Sequence, residues 1–200
     1  MFKKNQKVGE FIIEDDQHIG KGNFSLVFKA SHSITKVLAA VKLCKSGSSP
    51  EDIERFHREN SMLLRLSPHK RIITPFSAVL NEESLYFYVM ELAESGSLAK
   101  LLDNDQSFSF EERIEIFKKI CEGVQYIHSK KIVNRDLWCE NVLIFLENKI
   151  PEPKLMDYGR AKDFESKDKR LYPPQTLGGV DFIYPPENIF KIWEIAILEE

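Results

Sequence analysis

Cysteine is scarce in this sequence. Its three cysteines, Cys44, Cys121 and Cys139, are an odd number, and no two of them have Cys-x-x-Cys spacing. That usage excludes a disulfide-based scaffold and gives no zinc signature. It predicts free thiols in a reducing compartment, so we expect a cytoplasmic protein.

Long apolar runs and a strong net charge are also missing. No apolar segment approaches the length of a membrane span, and the start of the chain, MFKKNQKVGEF, lacks the apolar core of a signal peptide. The formal net charge is only -3. We therefore expect neither a membrane nor a nucleic acid as a partner.

The residues that are present have the composition of a globular protein, with 42% hydrophobic and 30% charged among 200 residues. This length fits one domain or two small lobes. The first half predicts five strands, which begin at Phe11 and Leu26 and cover residues 37–44, 72–79 and 85–92. A single helix is predicted over residues 49–66, because its first residues, Ser-Pro, are suited to a helix N-cap and first turn.

Three places in this first half depart from the strand and helix patterns. Gly20-Lys21-Gly22 lies between the first two strands, where it is either a plain hairpin turn or a close backbone approach to a ligand. A dinucleotide-binding fold matches poorly, because a strand and not a helix follows. Lys42 lies in an apolar strand, where a lysine is usually a snorkelling edge residue. Glu59 lies beside the apolar face of the helix, where a glutamate is ordinarily solvated.

The second half begins with helical patterns. Helices are predicted over residues 97–102 and 109–129. The longer one begins with a capping box, Ser109-x-x-Glu112, and carries an apolar stripe that includes Cys121. This helix is expected to face a core.

A short polar loop, residues 133–141, follows the long helix. Asp136 and Asn141 lie five residues apart in it, between apolar anchors. An ordinary surface turn also favours Asp and Asn, so the spacing alone leaves both interpretations open. Strand-like pieces follow at residues 142–144 and 154–156, joined by a loop that contains two prolines.

The loop resembles the catalytic loop of the protein kinase family, H-R-D-L-x-x-x-x-N. Other motifs of that family occur in family order over about residues 11–187. These are the glycine-rich loop Gly20-x-Gly22-x-x-Ser25-x-Val27, the strand lysine Lys42, the helix glutamate Glu59, Asp157-Tyr158-Gly159 in place of D-F-G, and Pro185-Pro186-Glu187 in place of A-P-E.

The resemblance implies an α+β, two-lobed fold with residues 1–200 as a single domain. Residues 1–93 would form an N-lobe with an antiparallel five-stranded sheet and one main helix. Residues 94–200 would form a mainly helical C-lobe that is truncated, since the chain ends soon after Glu187. A partner that covers the incomplete C-lobe is expected.

The resemblance also implies roles for individual residues. Asp136 would act on the substrate hydroxyl, Lys42 would hold the α- and β-phosphates of ATP, and Glu59 would pair with Lys42. Asn141 and Asp157 would supply the hard oxygen ligands that suit Mg²⁺. The implied nucleotide site comprises Ile19, Gly20, Gly22, Val27, Ala40, Lys42, Met90 (as gatekeeper), Glu91, Ala93 and Leu143.

Ser25 and Tyr158 differ from the family motifs, and further positions depart from the family pattern as well. Asn134 stands where His or Tyr is common. Trp138 stands where Ser/Thr kinases usually have a Lys that contacts the γ-phosphate. Val180 stands where a Thr commonly supports the catalytic Asp.

The function implied is that of an ATP-dependent protein kinase that phosphorylates Ser or Thr of a protein substrate. The alternative is a pseudokinase, which binds nucleotide or serves as a scaffold without turnover. A small-molecule kinase is disfavoured, because the Asp-Tyr-Gly and Pro-Pro-Glu segments delimit a protein-kinase activation segment. Within that segment Thr176 is the predicted phosphate acceptor, and Arg135, next to Asp136, is the residue predicted to bind the phosphate. The alternative is that Thr176 is an ordinary loop threonine and that backbone carbonyls satisfy Arg135.

Overall fold

The computed structural model describes residues 2–82, 85–103 and 108–164. These residues divide into two units. The first unit holds the described residues up to His69 together with Ile73–Leu92, and the second holds Lys70–Ile72 and the described residues from Ala93.

An antiparallel sheet dominates the first unit. Its strands are β1 (Lys7–Val8), β2 (Phe11–Ile13), β3 (Gly20–Lys21), β4 (Ser25–His32), β5 (Leu38–Cys44), β6 (Leu80–Glu82) and β7 (Leu85–Glu91). The sheet order is β1-β2-β4-β5-β7-β6, with β3 also paired to β4. Among the described residues the sheet thus has seven strands, where five were predicted. The first predicted strand is divided, because β2 and β3 pair with different parts of β4.

The core of the first unit lies on one face of this sheet. Every second residue of the central strands points into it, as the period of a half-buried strand requires. Phe28, Val41 and Val89 are paired across three strands and are at most 2% exposed. Alternate residues therefore project from the opposite face, where most of the predicted nucleotide-site residues of the sheet lie.

Helix α1 spans Pro50–Leu66 and confirms the predicted helix. The Ser49 side chain accepts a hydrogen bond from the Asp52 backbone N–H at 3.2 Å, which satisfies one of the unpaired donors of the first turn. The buried face of the helix includes Phe56, Glu59 and Leu63.

The predicted strand over residues 72–79 is absent from the described chain, and this prediction is wrong. Ile72 and Pro75 form only isolated bridges, to Leu155 and Met90 respectively. Pro75 has no N–H to donate to a continuous ladder, so the segment pairs at single residues.

The second unit contains α2 (Leu98–Asp103) and α3 (Phe110–Ser129). The predicted capping box of α3 is present, with both hydrogen bonds formed between Ser109 and Glu112. Cys121, however, is exposed; the buried stripe consists of Ile116, Ile120, Gly123 and Ile127. None of the helices that the structure describes is long and apolar enough to cross a membrane.

The described part of the second unit also contains short antiparallel strand pairs. Strand β8 (Ile132–Val133) pairs with β11 (Lys162–Asp163), and β9 (Val142–Glu147) pairs with β10 (Ile150–Leu155). The predicted proline-containing loop is therefore part of a hairpin. Pro151 and Pro153 are two residues apart, so both place their nitrogen on the same side of β10, away from the ladder with β9.

The predicted α+β organisation is confirmed, with an antiparallel sheet and one main helix in the first unit. The predictions for Thr176, Val180, Pro185-Pro186-Glu187 and the final helix lie outside the described residues.

Candidate functional site

Two adjacent rows of residues cross the sheet face opposite the core of the first unit. One row is Gly20, Val27, Lys42 and Tyr88, and the next is Lys29, Ala40 and Met90. Residues two apart on a strand share a face, so both rows project to the same side. The sheet register thus brings together five of the residues predicted to bind nucleotide, from four strands.

Lys42 forms a buried ion pair on this face. Its ammonium Nζ donates to Glu59 Oε1 at 2.5 Å and to Oε2 at 2.7 Å, and the two residues are 3% and 0% exposed. The Tyr88 hydroxyl also donates to Glu59 Oε1, at 2.8 Å. Glu59 is therefore paired and not solvated. A buried ammonium is costly unless a carboxylate compensates it, so this geometry fixes the position of the Lys42 side chain.

The glycine turn is tightly packed against Ser25. The Gly22 N–H donates to the Ser25 carbonyl at 2.9 Å, and a Cβ at Gly22 would lie 2.9 Å from Ser25 Oγ. Lys45 Nζ stabilises the turn by donating a hydrogen bond to the Gly22 carbonyl at 2.6 Å. Ile19 is 55% exposed at the start of the turn, and its N–H donates to the Val27 carbonyl.

The remaining predicted nucleotide-site residues lie at the end of β7 or in the second unit. Glu91 is fixed by Thr74: its N–H donates to the Thr74 carbonyl at 3.0 Å, and its Oε1 accepts from the Thr74 N–H at 2.6 Å. In the second unit, the Ala93 carbonyl accepts from the Gly96 N–H at 3.1 Å. Leu143 bridges to Ser97.

The β9–β10 hairpin brings Asn141 and Asp157 together. Val142 pairs with Leu155 at the open end of the hairpin, and the Met156 N–H donates to the Asn141 carbonyl at 3.0 Å. Asn141 thus directly precedes the first residue of β9, and Asp157 lies two residues after the last residue of β10. Their adjacency comes from the hairpin register, although they are 16 positions apart in the chain.

Amide side chains hold Asp136 in its loop. Asn141 Nδ2 donates to the Asp136 carbonyl at 2.8 Å and to its carboxylate Oδ2 at 3.2 Å. The buried Asn134 bridges two segments: its Oδ1 accepts from the Asp136 N–H at 2.8 Å, and its Nδ2 donates to the Asp157 carbonyl at 3.0 Å. One amide therefore connects the backbones of both acidic residues.

The surroundings of the Asp136 carboxylate increase its affinity for a proton. Burial, followed by the charge of Asp157, raises the pKa of Asp136; the charge of Arg160 and the hydrogen bond from Asn141 oppose that rise without cancelling it. The backbone here is also constrained, with φ of +63° at Arg135 and +58° at Asp157. Such conformations persist where surrounding contacts enforce them, and they concentrate at functional sites.

The donor set of this loop fits a magnesium ion. Asn141 turns its amide nitrogen to Asp136, which leaves its amide oxygen for a cation. Asp157 uses Oδ1 to accept from the Gly159 N–H at 3.1 Å, which leaves Oδ2. Hard oxygens of this kind suit Mg²⁺, which keeps several waters and needs few protein ligands.

The positions of Trp138, a departure from the family pattern, and of Arg135, the predicted phosphate-binding residue, are clear in the structure. Trp138 is 52% exposed, two residues after Asp136. Arg135 donates its Nε to the Arg160 carbonyl at 2.8 Å, so a backbone carbonyl engages this guanidinium within the described chain.

Sequence reasoning missed Tyr88 and the bridging role of Asn134. Tyr88 contacts Glu59 because the sheet register places Tyr88 opposite Lys42. No local sequence pattern predicts this contact. For Asn134 a hint existed, because Asn favours hydrogen bonds to nearby backbone groups. Its partner at Asp157 depends on tertiary structure.

Comparison with known proteins connects both groups of residues to one family. Residues 13–192 match the family model described as protein kinase domain. That match covers both the Lys42–Glu59 pair and the loop from Asn134 to Asp157.

Individual relatives of the chain are named as protein kinases. The chain is 33% identical to human death-associated protein kinase 2 over 98% of its own length and 55% of that protein. It is 34% identical to the serine/threonine-protein kinase SIK2 of Gallus gallus over 80% of its length and 19% of that protein. The chain thus spans little more than half of the first relative and a smaller part of the second.

Proposed function

The chain belongs to the protein kinase family, and on that premise we propose that it transfers the γ-phosphate of ATP to a Ser or Thr hydroxyl of a protein. The observation that carries the proposal is the loop in which Asp136, Asn141 and Asp157 are joined by the amides of Asn134 and Asn141. The Ser/Thr class is supported by similarity to proteins named as serine/threonine-protein kinases, such as SIK2 of Gallus gallus.

Each group has a distinct task in this proposal. Lys42, held by Glu59 and Tyr88, would bind the α- and β-phosphates. Asn141 and Asp157 would hold Mg²⁺, which neutralises phosphate charge when bound. The substrate oxygen would bond to the γ-phosphorus as the bond to the β–γ bridging oxygen breaks, releasing ADP.

The hydroxyl proton would pass to Asp136. A raised pKa makes this carboxylate a better proton acceptor than an ordinary surface aspartate. Its Oδ2 and backbone are held by Asn141, so the acceptor has a fixed orientation.

A second candidate function is nucleotide binding without turnover. It is favoured by Trp138, an exposed apolar side chain at a position where a cation would assist transfer. The two candidates share ATP binding and differ in catalysis.

The experiment that tests the proposal uses radiolabelled ATP, Mg²⁺ and a mixture of peptides, with Asp157→Ala as control. We expect labelled phosphoserine or phosphothreonine with the wild-type protein and none with the variant. Thermal stabilisation by Mg²⁺-ATP that Lys42→Ala reduces, without any labelled peptide, would select the second candidate. No stabilisation and no label would contradict both.

A further inference from the structure

Arg160 is the exposed residue of an otherwise buried turn. Asp157 Oδ1 accepts from the Gly159 N–H, and the Ala161 N–H donates to the Tyr158 carbonyl at 3.0 Å. Tyr158, Gly159 and Ala161 are buried, whereas Arg160 is exposed. The turn therefore fixes the Arg160 backbone and presents its guanidinium to solvent.

The turn is also attached to the loop of Asp136. Arg135 Nε donates to the Arg160 carbonyl at 2.8 Å, so the residue before Asp136 holds the main chain of Arg160. Arg160 therefore lies beside the segment that carries Asp136, three residues after Asp157.

Phosphoryl transfer beside Asp136 would be assisted by positive charge in addition to that of a bound metal ion. Asp136 and Asp157 are both acidic, and a transferring phosphoryl group brings further negative charge. Arg135 is engaged with a carbonyl, and position 138 is a tryptophan. Lys162 lies over the Phe164 ring, with Nζ 4.7 Å from the centroid.

We propose that Arg160 binds the γ-phosphate of the nucleotide and supplies positive charge as that group is transferred. This role rests on the proposed function. A guanidinium suits it, because it remains charged at all working pH values and can donate two parallel hydrogen bonds to phosphate oxygens. Asp136, Asn141 and Asp157 would then act on the hydroxyl and the metal, and Arg160 on the phosphate itself.

The test separates γ-phosphate recognition from nucleotide binding. Affinities for ADP and for the non-hydrolysable β,γ-imido analogue of ATP are measured calorimetrically with Mg²⁺. Arg160→Gln should weaken analogue binding about ten-fold, as expected for one charged hydrogen-bonding group, and change ADP binding less than about two-fold. Arg160→Lys should retain part of the preference. Lys162→Gln, which removes the same charge two residues away, should behave as the wild type.

Each contrary result has a different meaning. A wild-type protein that binds neither nucleotide would overturn the proposed function together with this role. A wild type that binds both, with Arg160→Gln keeping its preference for the analogue or losing both affinities equally, would overturn the role of Arg160 alone.

Discussion

At the scale of single residues, one hydroxyl group separates Tyr158 from the phenylalanine of the family motif. Tyr158 is 0% exposed, and among the described residues its hydroxyl has no hydrogen-bond partner. Burial, with a smaller contribution from Tyr126, raises its pKa, so the hydroxyl stays protonated. A buried donor without a partner is destabilising.

We expect Tyr158→Phe to stabilise the protein by about 1 kcal/mol, because it removes an unsatisfied polar atom and keeps the ring. Urea denaturation measures the change. Tyr86→Phe, at a partly exposed ring, is the matched control and should have little effect. A loss of stability of about 1 kcal/mol in Tyr158→Phe would show that the hydroxyl is satisfied.

Residue types in local motifs were predictable at this scale, and their tertiary partners were not. Asp136 and Asn141 stand in one short loop, so their proximity follows from chain continuity. The pairing of Lys42 with Glu59 was predictable only from the family resemblance, because it joins a residue of a strand to a residue of a helix. The hydrogen bond from Tyr88 to Glu59 was not predictable without the sheet register.

At the scale of elements, Gly123 sets how closely α3 approaches the β9–β10 hairpin. A Cβ at this position would lie 3.0 Å from Leu155 Cδ1 and 3.1 Å from Arg71 Cβ. Glycine in a helix interior is otherwise unfavourable by about 1 kcal/mol relative to alanine. The close contact therefore opposes the helix propensity.

We predict that Gly123→Ala destabilises the protein by about 1 kcal/mol, since overpacking a fixed contact typically costs about 1–3 kcal/mol and outweighs the gain in propensity. Gln125→Ala, at an exposed position of the same helix, serves as control and should be neutral or slightly stabilising. A stabilised Gly123→Ala variant would mean that Leu155 moves away at little cost.

An ion-pair network connects the same elements. Arg71, 6% exposed, donates its Nε to Glu122 at 2.9 Å and its Nη1 to Glu152, and Lys119 Nζ donates to Glu152 at 2.6 Å. Burial raises the pKa of Glu152, but the hydrogen bonds from Arg71 and Lys119 outweigh it, and the pKa is lowered from 4.5. The pKa of Glu122 is lowered mainly by its hydrogen bond from Arg71.

These lowered values predict a loss of stability in acid. A carboxylate with a lowered folded-state pKa stabilises the fold above its ordinary pKa, and that contribution disappears as pH falls through the folded-state value. Glu152→Gln should cost about 2 kcal/mol at pH 7 and much less near pH 3. Urea midpoints at both pH values measure this difference, with the exposed Glu147→Gln as control. An equal cost at both pH values would contradict the network's electrostatic origin.

Elements were predicted best where their determinants are local. Both long helices follow their capping residues closely, at Ser49 and Ser109. Pairing was less predictable, because Pro151 and Pro153 suggested a loop and are tolerated in β10 by facing away from β9. Cys121 was predicted to lie in the buried stripe because it is apolar, but its side chain lies on the exposed face of α3.

At the scale of the whole molecule, the α+β organisation followed from the order of the motifs. Strand-forming sequence precedes helical sequence, and the two described units contain these parts in that order. Periodicity alone would not have identified the family, because each motif is short and individually common. Their ordered occurrence carried the prediction that the family model matches over residues 13–192.

The central claim, that this chain transfers phosphate with Asp136 as proton acceptor, is tested most directly by Asp136→Asn. Phosphoryl transfer from radiolabelled ATP and Mg²⁺-ATP affinity are measured on the same preparation. The variant keeps the shape of the side chain, so affinity should stay within about two-fold, while transfer falls by at least about 100-fold. Transfer at the wild-type rate by Asp136→Asn would contradict the account.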